Sequence, residues 1–184
     1  LCIRIQTEDD YILQALLDDM NSTIKIQRFK PEEKHHKPTS RIRLQSNVIH
    51  KALIKLGVVP RKSDKTYFPD IPEDLYSHFI RGYFDGDGCI SIDKKSKQKR
   101  FQVTGHIVLI EKIQEILIKE CNLSKTKIDI SLNKSGKNSY TTHYVGNNQV
   151  DRISNYLYNK ATIYLTRKFN KFYKDPNLWI QELM

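Results

Sequence analysis

The strongest constraint on the fold is an internal duplication. IRIQT at 3–7 alternates apolar and polar residues as a half-buried strand does, and QVT at 102–104 matches it. A helix, a hairpin and a second helix follow each of these strands. TIKIQ at 23–27 answers KIDIS at 127–131, and QSNVIHKALIKL at 45–56 answers NNQVDRISNYLY at 147–158. A strand–helix–strand–strand–helix unit is thus present twice, and neither copy alone can cover its apolar surface as well as the pair can. The second copy is preceded by an extra helix and strand, residues 73–93. The first copy starts where such a piece would already have ended. At average element lengths that piece amounts to about 20 to 25 residues, so the natural protein is expected to continue upstream of Leu1. The division is a first repeat at 1–58 lacking its initial helix and strand, a linker at 59–72 and a second repeat at 73–184. The class is α+β, with antiparallel sheets.

Local signals fill in the units. Thr7 followed by Glu8, Asp9 and Asp10 is expected to cap a helix whose apolar face is Tyr11, Ile12, Ala15, Leu16 and Met20. TIKIQRF and SRIRLQ read as a hairpin, Ser46 or Asn47 as the next cap, and Gly57 as that helix's stop. In the second copy CISID and RFQVTG are paired strands. Ile107, Ile110, Ile113, Leu117 and Cys121 mark one helix face. TKIDISLN and SYTTHYV form a further hairpin, Asn147 or Asn148 caps the following helix, and IYLTRKFNKFY is a basic helix near the end.

Charge narrows the partner. Lys and Arg number 31 against 21 acids, a net charge of +10, which favours a polyanion and in the first place nucleic acid. Cys2, Cys89 and Cys121 are widely spaced with no CxxC, which argues against a disulfide framework and for a reducing compartment. No apolar run reaches membrane-span length and no signal peptide is visible, so a soluble intracellular protein is expected.

The chemistry concentrates in FIRGYFDGDGCISID at 79–93. Gly82 and Gly86 are four apart, share one helix face and allow a second helix to approach closely. Gly86 and Gly88 are expected to take positive φ in a sharp turn, with Asp85 bonding the turn's N–H groups and Asp87 projecting below the helix. A calcium loop is excluded by spacing: the sixth and twelfth positions are Ile90 and Ser96, where Gly and Glu are required. A plain helix-ending turn with two capping acids is the other reading of these residues.

IRGYFDGDG at 80–88 resembles the LAGLIDADG motif, the signature of the LAGLIDADG homing endonucleases; both glycines and both acids are kept and Gly86 replaces the alanine. That resemblance implies αββαββα repeats whose sheets form a saddle on the DNA major groove, with helices on the other face. It implies catalysis and metal binding by Asp87, helped by the Gly86 carbonyl, with Mg2+ as cofactor and Mn2+ as a substitute. The implied activity is site-specific double-strand cleavage in intron homing or by a mobile element. Two acids are needed for such a cut, the second coming from an upstream helix in a monomer or from a homodimer joined through the Gly82/Gly86 face. Gly105, where the family can carry an amide, and Asn147, Asn148 and Gln149, where it often has a lysine, depart from the pattern. The alternative is a non-cleaving relative, an intron RNA maturase or a DNA-binding regulator.

Period-two alternation then assigns faces. Ile90, Ile92, Phe101, Val103, Ile128 and Ile130 are expected to point to the helices. The opposite, DNA-facing set is Ser91, Asp93 and Lys95; Arg100, Gln102 and Thr104; and Lys127, Asp129 and Ser131. In the first repeat it is Arg4 and Gln6, Lys25 and Gln27, and Arg41, Arg43 and Gln45. Arg, Gln and Asp are suited to base edges, and the lysines of KKSKQKR and TRKFNK to phosphates. SYTTHYV alternates ambiguously and is left without a face.

Overall fold

A computed structural model describes residues 1–31, 36–58, 66–132, 136 and 138–173. In the first unit β1 (Cys2–Gln6) leads through a 3-10 turn to α1 (Tyr11–Asp19), then β2 (Gln27–Phe29), β3 (Thr39–Arg43) and α2 (Asn47–Lys55). The second unit runs α3 (Tyr76–Asp87), β4 (Gly88–Ile92), β5 (Lys99–Gly105), α4 (Ile107–Cys121), β6 (Asp129–Leu132), β7 (Asn138–Val145), α5 (Asn147–Tyr158) and α6 (Thr166–Tyr173). The sheets are antiparallel, ordered β1-β3-β2 and β4-β5-β7-β6. Laid over one another, β1, β3 and β2 occupy the places of β5, β7 and β6. The fold is α+β, as the alternating patterns predict.

The two cores differ in size. Ile80, Phe84, Ile90, Phe101, Val103, Ile110, Ile113, Leu117, Tyr144, Val150, Ile153 and Phe172 are among the residues that join α3 to α6 and the four-stranded sheet in one buried cluster. At the three-stranded sheet the buried apolar cluster among the described residues is Leu13, Leu17, Ile42 and Leu44, with Ile3, Ile5 and Ile26 packed beside them. The first unit meets α6 through polar contacts: Arg167 Nε donates to Asp9 at 3.1 Å, and the Tyr11 hydroxyl bridges Tyr164 O and Thr166 N. No helix among the described residues is long and apolar enough to cross a membrane.

Several local expectations are corrected. Thr7 does not cap α1; its hydroxyl accepts from Ser40. Ser46 caps α2 by accepting from Ile49 N, and Gly57 ends that helix at φ 83°. Gly146, at φ 113°, precedes α5 in place of an Asn cap, and the Asn147 side chain accepts from Lys99 N instead. Ile130, on the edge strand β6, is 66% exposed, while Ile128 packs on the core as expected. Residues 59–65 of the expected linker lie outside the described residues.

Candidate active site and nucleic-acid interface

The end of α3 is fixed from behind by α5 and α6. Asp85 is buried and accepts from the Tyr158 hydroxyl at 3.0 Å and from Leu165 N at 2.9 Å. Arg81, also buried, donates to Leu157 O and Ile163 O. Lys168 Nζ donates to Phe84 O and Gly88 O, each at 2.6 Å, and so spans the last turn of α3. A cation at a helix C-terminus is favoured by the partial negative charge of its carbonyls. Burial raises the Asp85 pKa against the opposing pull of Leu165 N–H, Tyr158, Lys168 and Arg81. Burial likewise lowers those of Lys168 and Arg81.

This geometry changes the expected roles of the motif. Asp85 does not bond the turn's own backbone; its partners are 73 and 80 residues away. Gly86 is helical and Gly88 extended, at φ −86°, so neither needs positive φ. Gly88 is small for another reason: a Cβ there would lie 2.7 Å from Phe84 O and overlap the Phe84 ring. Lys168 and Arg167 of TRKFNK are held by α3 and by Asp9, and Lys99 of KKSKQKR is buried with its Nζ 2.7 Å from Asp151 Oδ1. Lys99 and Lys168, both buried, are not free for phosphates.

With its rear held, α3 turns Gly82, Gly86 and Asp87 outward, all exposed. Among the described residues, and apart from the helix's own backbone, nothing lies within 4 Å of where a Cβ would stand on Gly82 or Gly86. They line an open cleft of about 780 Å³ whose walls include Leu53, Leu56 and Tyr67 on one side and Phe79, Tyr83, Thr104 and His106 on the other. The Tyr83 hydroxyl donates to Thr104 O at 2.9 Å, and its pKa is pushed up to about 12 by burial and then by Asp87. A Cβ on Gly105 would overlap that hydroxyl, so Tyr83 fills the space a side chain at 105 would need. Among the described residues no three His, Cys, Asp or Glu converge on a metal site. Asp87 and the Gly86 carbonyl are a partial set of hard oxygen donors. They fit Mg2+, which commonly takes one or two carboxylates and fills its shell with water and phosphate oxygen.

The outward sheet faces follow the alternation. In the second sheet Ser91 pairs with Arg100, Gln102 lies between Cys89 and His143, and the Thr104 hydroxyl meets that of Thr141 at 2.7 Å. Asp93 sits past β4, and its Oδ1 accepts from Lys95 N, Ser96 N and the Ser96 hydroxyl, closing the turn that carries exposed Lys95. Asp129 and Ser131 of β6 are exposed, with Lys127 just ahead of the strand. Burial of Thr142 and Tyr144 gives β7 its face and turns Thr141 and His143 outward. His143 Nδ1 lies 3.3 Å from Asp129 Oδ2.

The first sheet brings Arg4, Gln6, Gln27, Arg41 and Arg43 to one face, opposite Ile3, Ile5 and Ile42; Lys25 and Gln45 are exposed beyond the strand ends. Sequence reasoning gave Lys168 a phosphate-holding role and missed Phe29 and His143. The ladder pairing that places the last two was the signal available, through the homology of β2 with β6 and β3 with β7.

A family model described as a LAGLIDADG-like domain matches residues 74–158. No curated protein matches the chain. Among solved structures, the LAGLIDADG meganuclease I-CpaMI bound to uncleaved DNA is 15% identical at a TM-score of 0.59, covering 98% of this chain and 81% of that one. The I-LtrWI LAGLIDADG homing endonuclease bound to target DNA is 14% identical at 0.55, covering 99% and 78%. The homing endonuclease I-WcaI bound to its DNA recognition sequence is 15% identical at 0.55, covering 93% and 74%. Residues 74–158 are a LAGLIDADG-like domain, and the chain has the fold of the LAGLIDADG homing endonucleases.

Proposed function

We propose that this protein is a site-specific DNA endonuclease of homing type, hydrolysing phosphodiester bonds with Mg2+, for which Mn2+ can substitute. The observation that carries the reading is the backed end of α3, where Gly86 and Asp87, both exposed, line the open cleft together. A binding protein has no need of an outward acid held from behind by three buried polar side chains. The similarity to structures described as DNA-bound supports duplex DNA as the partner, and the charge of +10 agrees with it.

Asp87 and Gly86 O would hold the metal, which when bound polarises phosphate and lowers the pKa of water. The residues of this chain do the rest. Lys168 and Asp85 fix where Asp87 stands. Tyr83 closes the cleft wall by donating its hydroxyl to Thr104 O. The outward sheet residues hold the duplex. In this reading 1–58 and 73–184 are the two repeats, and the bare Gly82/Gly86 face seats a second glycine-bearing helix, from upstream residues or from a second copy.

The test is cleavage of a randomised plasmid library in Mg2+. Recovery of cuts at one sequence is expected. Salt-sensitive binding with no cut in either metal would instead mean a non-cleaving relative, a DNA-binding regulator or an RNA maturase.

A further inference from the structure

Phe29 lies on the outward face of β2, one ladder step diagonal to Arg41 of β3. Its ring centroid is 4.6 Å from Arg41 Cζ and 5.0 Å from Arg4 Cζ, so two guanidinium groups converge on one aromatic ring. Arg4 and Arg41 are also directly opposite in the β1–β3 register. Like charges in that position work against folding. Among the described residues none of Arg4, Arg41 and Arg43 has a carboxylate within ion-pair distance. The neighbouring Arg28, on the other face, is paired with Asp10. Asp10 is thus on the helix side, and among the described residues no acid offsets the outward cations.

Arg41 is further constrained: its Nε and Nη2 both donate to Gln27 Oε1, at 3.2 and 2.7 Å. Among the described residues Nη1 has no hydrogen-bond partner, and the two bonds fix the plane of the fork. A guanidinium lying over a ring and braced by an amide has already given up much of its rotamer freedom, so less is lost when it binds. A guanidinium fork also grips phosphate oxygens, but this one lies over a ring on the strand face rather than in a rim turn. It suits two adjacent acceptors on a rigid planar edge, which guanine offers as O6 and N7 in the major groove.

We propose that Arg41 and Arg4, held by Phe29 and Gln27, form a pre-organised reader of guanine in duplex DNA, with Phe29 as the positioning residue. The inference rests on the duplex-DNA reading above. Arg41 occupies the central strand of its sheet, and the reader therefore addresses a base pair inside the half-site rather than at its end.

The test is selection of bound duplexes from a random pool, at fixed salt, with full-length Asp87→Asn protein and the same protein carrying Phe29→Leu, Phe29→Tyr or Arg41→Lys. The parent is expected to select guanine at one inner half-site position. Phe29→Leu and Arg41→Lys should each lower that preference about tenfold, whereas Phe29→Tyr, which keeps a cation-binding ring, should retain it. The salt dependence of non-specific binding should be the same for all four. Unchanged guanine preference in Phe29→Leu, or equal loss in Phe29→Leu and Phe29→Tyr, overturns the inference while leaving DNA binding in place. Absence of salt-sensitive binding to any duplex by all four overturns the DNA reading itself.

Discussion

Replacing Lys168 with methionine keeps most of the side-chain stem and removes the ammonium that joins Phe84 O to Gly88 O. The two hydrogen bonds, each 2.6 Å, are charge-assisted and lie on residues at the end of α3. Bonds of this type contribute about 1.5 to 3 kcal/mol each. Part of that is returned because the variant no longer buries an ammonium, whose desolvation is what lowers the Lys168 pKa. Phe84 O also keeps the Gly88 N–H, while Gly88 O loses this donor. The net loss is expected to be about 3 kcal/mol, or roughly 6 to 12 °C in Tm for a chain of this length. Thermal melting followed by circular dichroism measures it. Because Gly86 and Asp87 lie between the two clamped carbonyls, Mg2+-dependent cutting should fall much more than DNA affinity. A Tm within about 2 °C of the parent, with cutting unchanged, would refute the argument that Lys168 fixes the site.

The raised pKa of Asp85 gives a signed pH effect. The folded state holds that proton more tightly than the unfolded one, so Asp85 contributes stability below the ordinary carboxylate pKa that is lost as pH rises through its raised folded value. Asp85→Asn should flatten this part of the stability–pH curve measured by urea denaturation, and a curve identical to the parent's would contradict it. Gly88→Ala should destabilise by about 1 to 3 kcal/mol by crowding Phe84, read as a lower urea midpoint. Cys121 is buried with its thiol pushed up to about 12, chiefly by burial, whereas Cys2 and Cys89 are exposed. Alkylation of folded protein at pH 8 should therefore mark Cys2 and Cys89 and spare Cys121 until denaturant is added.

Much of the fold was readable because its patterns are local. The recurring order of alternating strands and 3.6-period helices identifies the element order, and GYFDGDG locates Asp87 at a helix end. The bounds and faces fit less closely: β2 is only the Gln27–Phe29 part of TIKIQRF, and α1 buries Leu13 and Leu17 while Tyr11 and Met20 of its expected face stay exposed. What was not readable depends on distance. Asp85 looks like a turn-forming acid in IRGYFDGDG, yet it is tied to Tyr158 and Leu165 through tertiary packing that the local sequence does not encode. Lys168 sits in a basic run that reads as phosphate-binding, but α6 packs against α3 and turns this lysine inward. Ile130 has strand alternation and still stays 66% exposed on the edge strand β6, because alternation sets a face but burial also requires something packed against it. The ambiguity of SYTTHYV was physical: Thr142 and Tyr144 are buried and Thr141 and His143 are not, and residue type alone hardly separates them. Gly105 is explained only when the Tyr83 hydroxyl is seen to fill its place.

The central claim is that Asp87 cuts DNA which the outward sheet faces hold. It is tested most directly by measuring, on the duplex recovered from the plasmid library, the affinity and the single-turnover cleavage of parent and Asp87→Asn in Mg2+. The account predicts near-equal affinity, with cleavage by the variant reduced by at least about a hundredfold, in keeping with the loss of a metal-binding carboxylate. Equal cleavage by the two proteins, or affinity lost in step with cleavage, would contradict it.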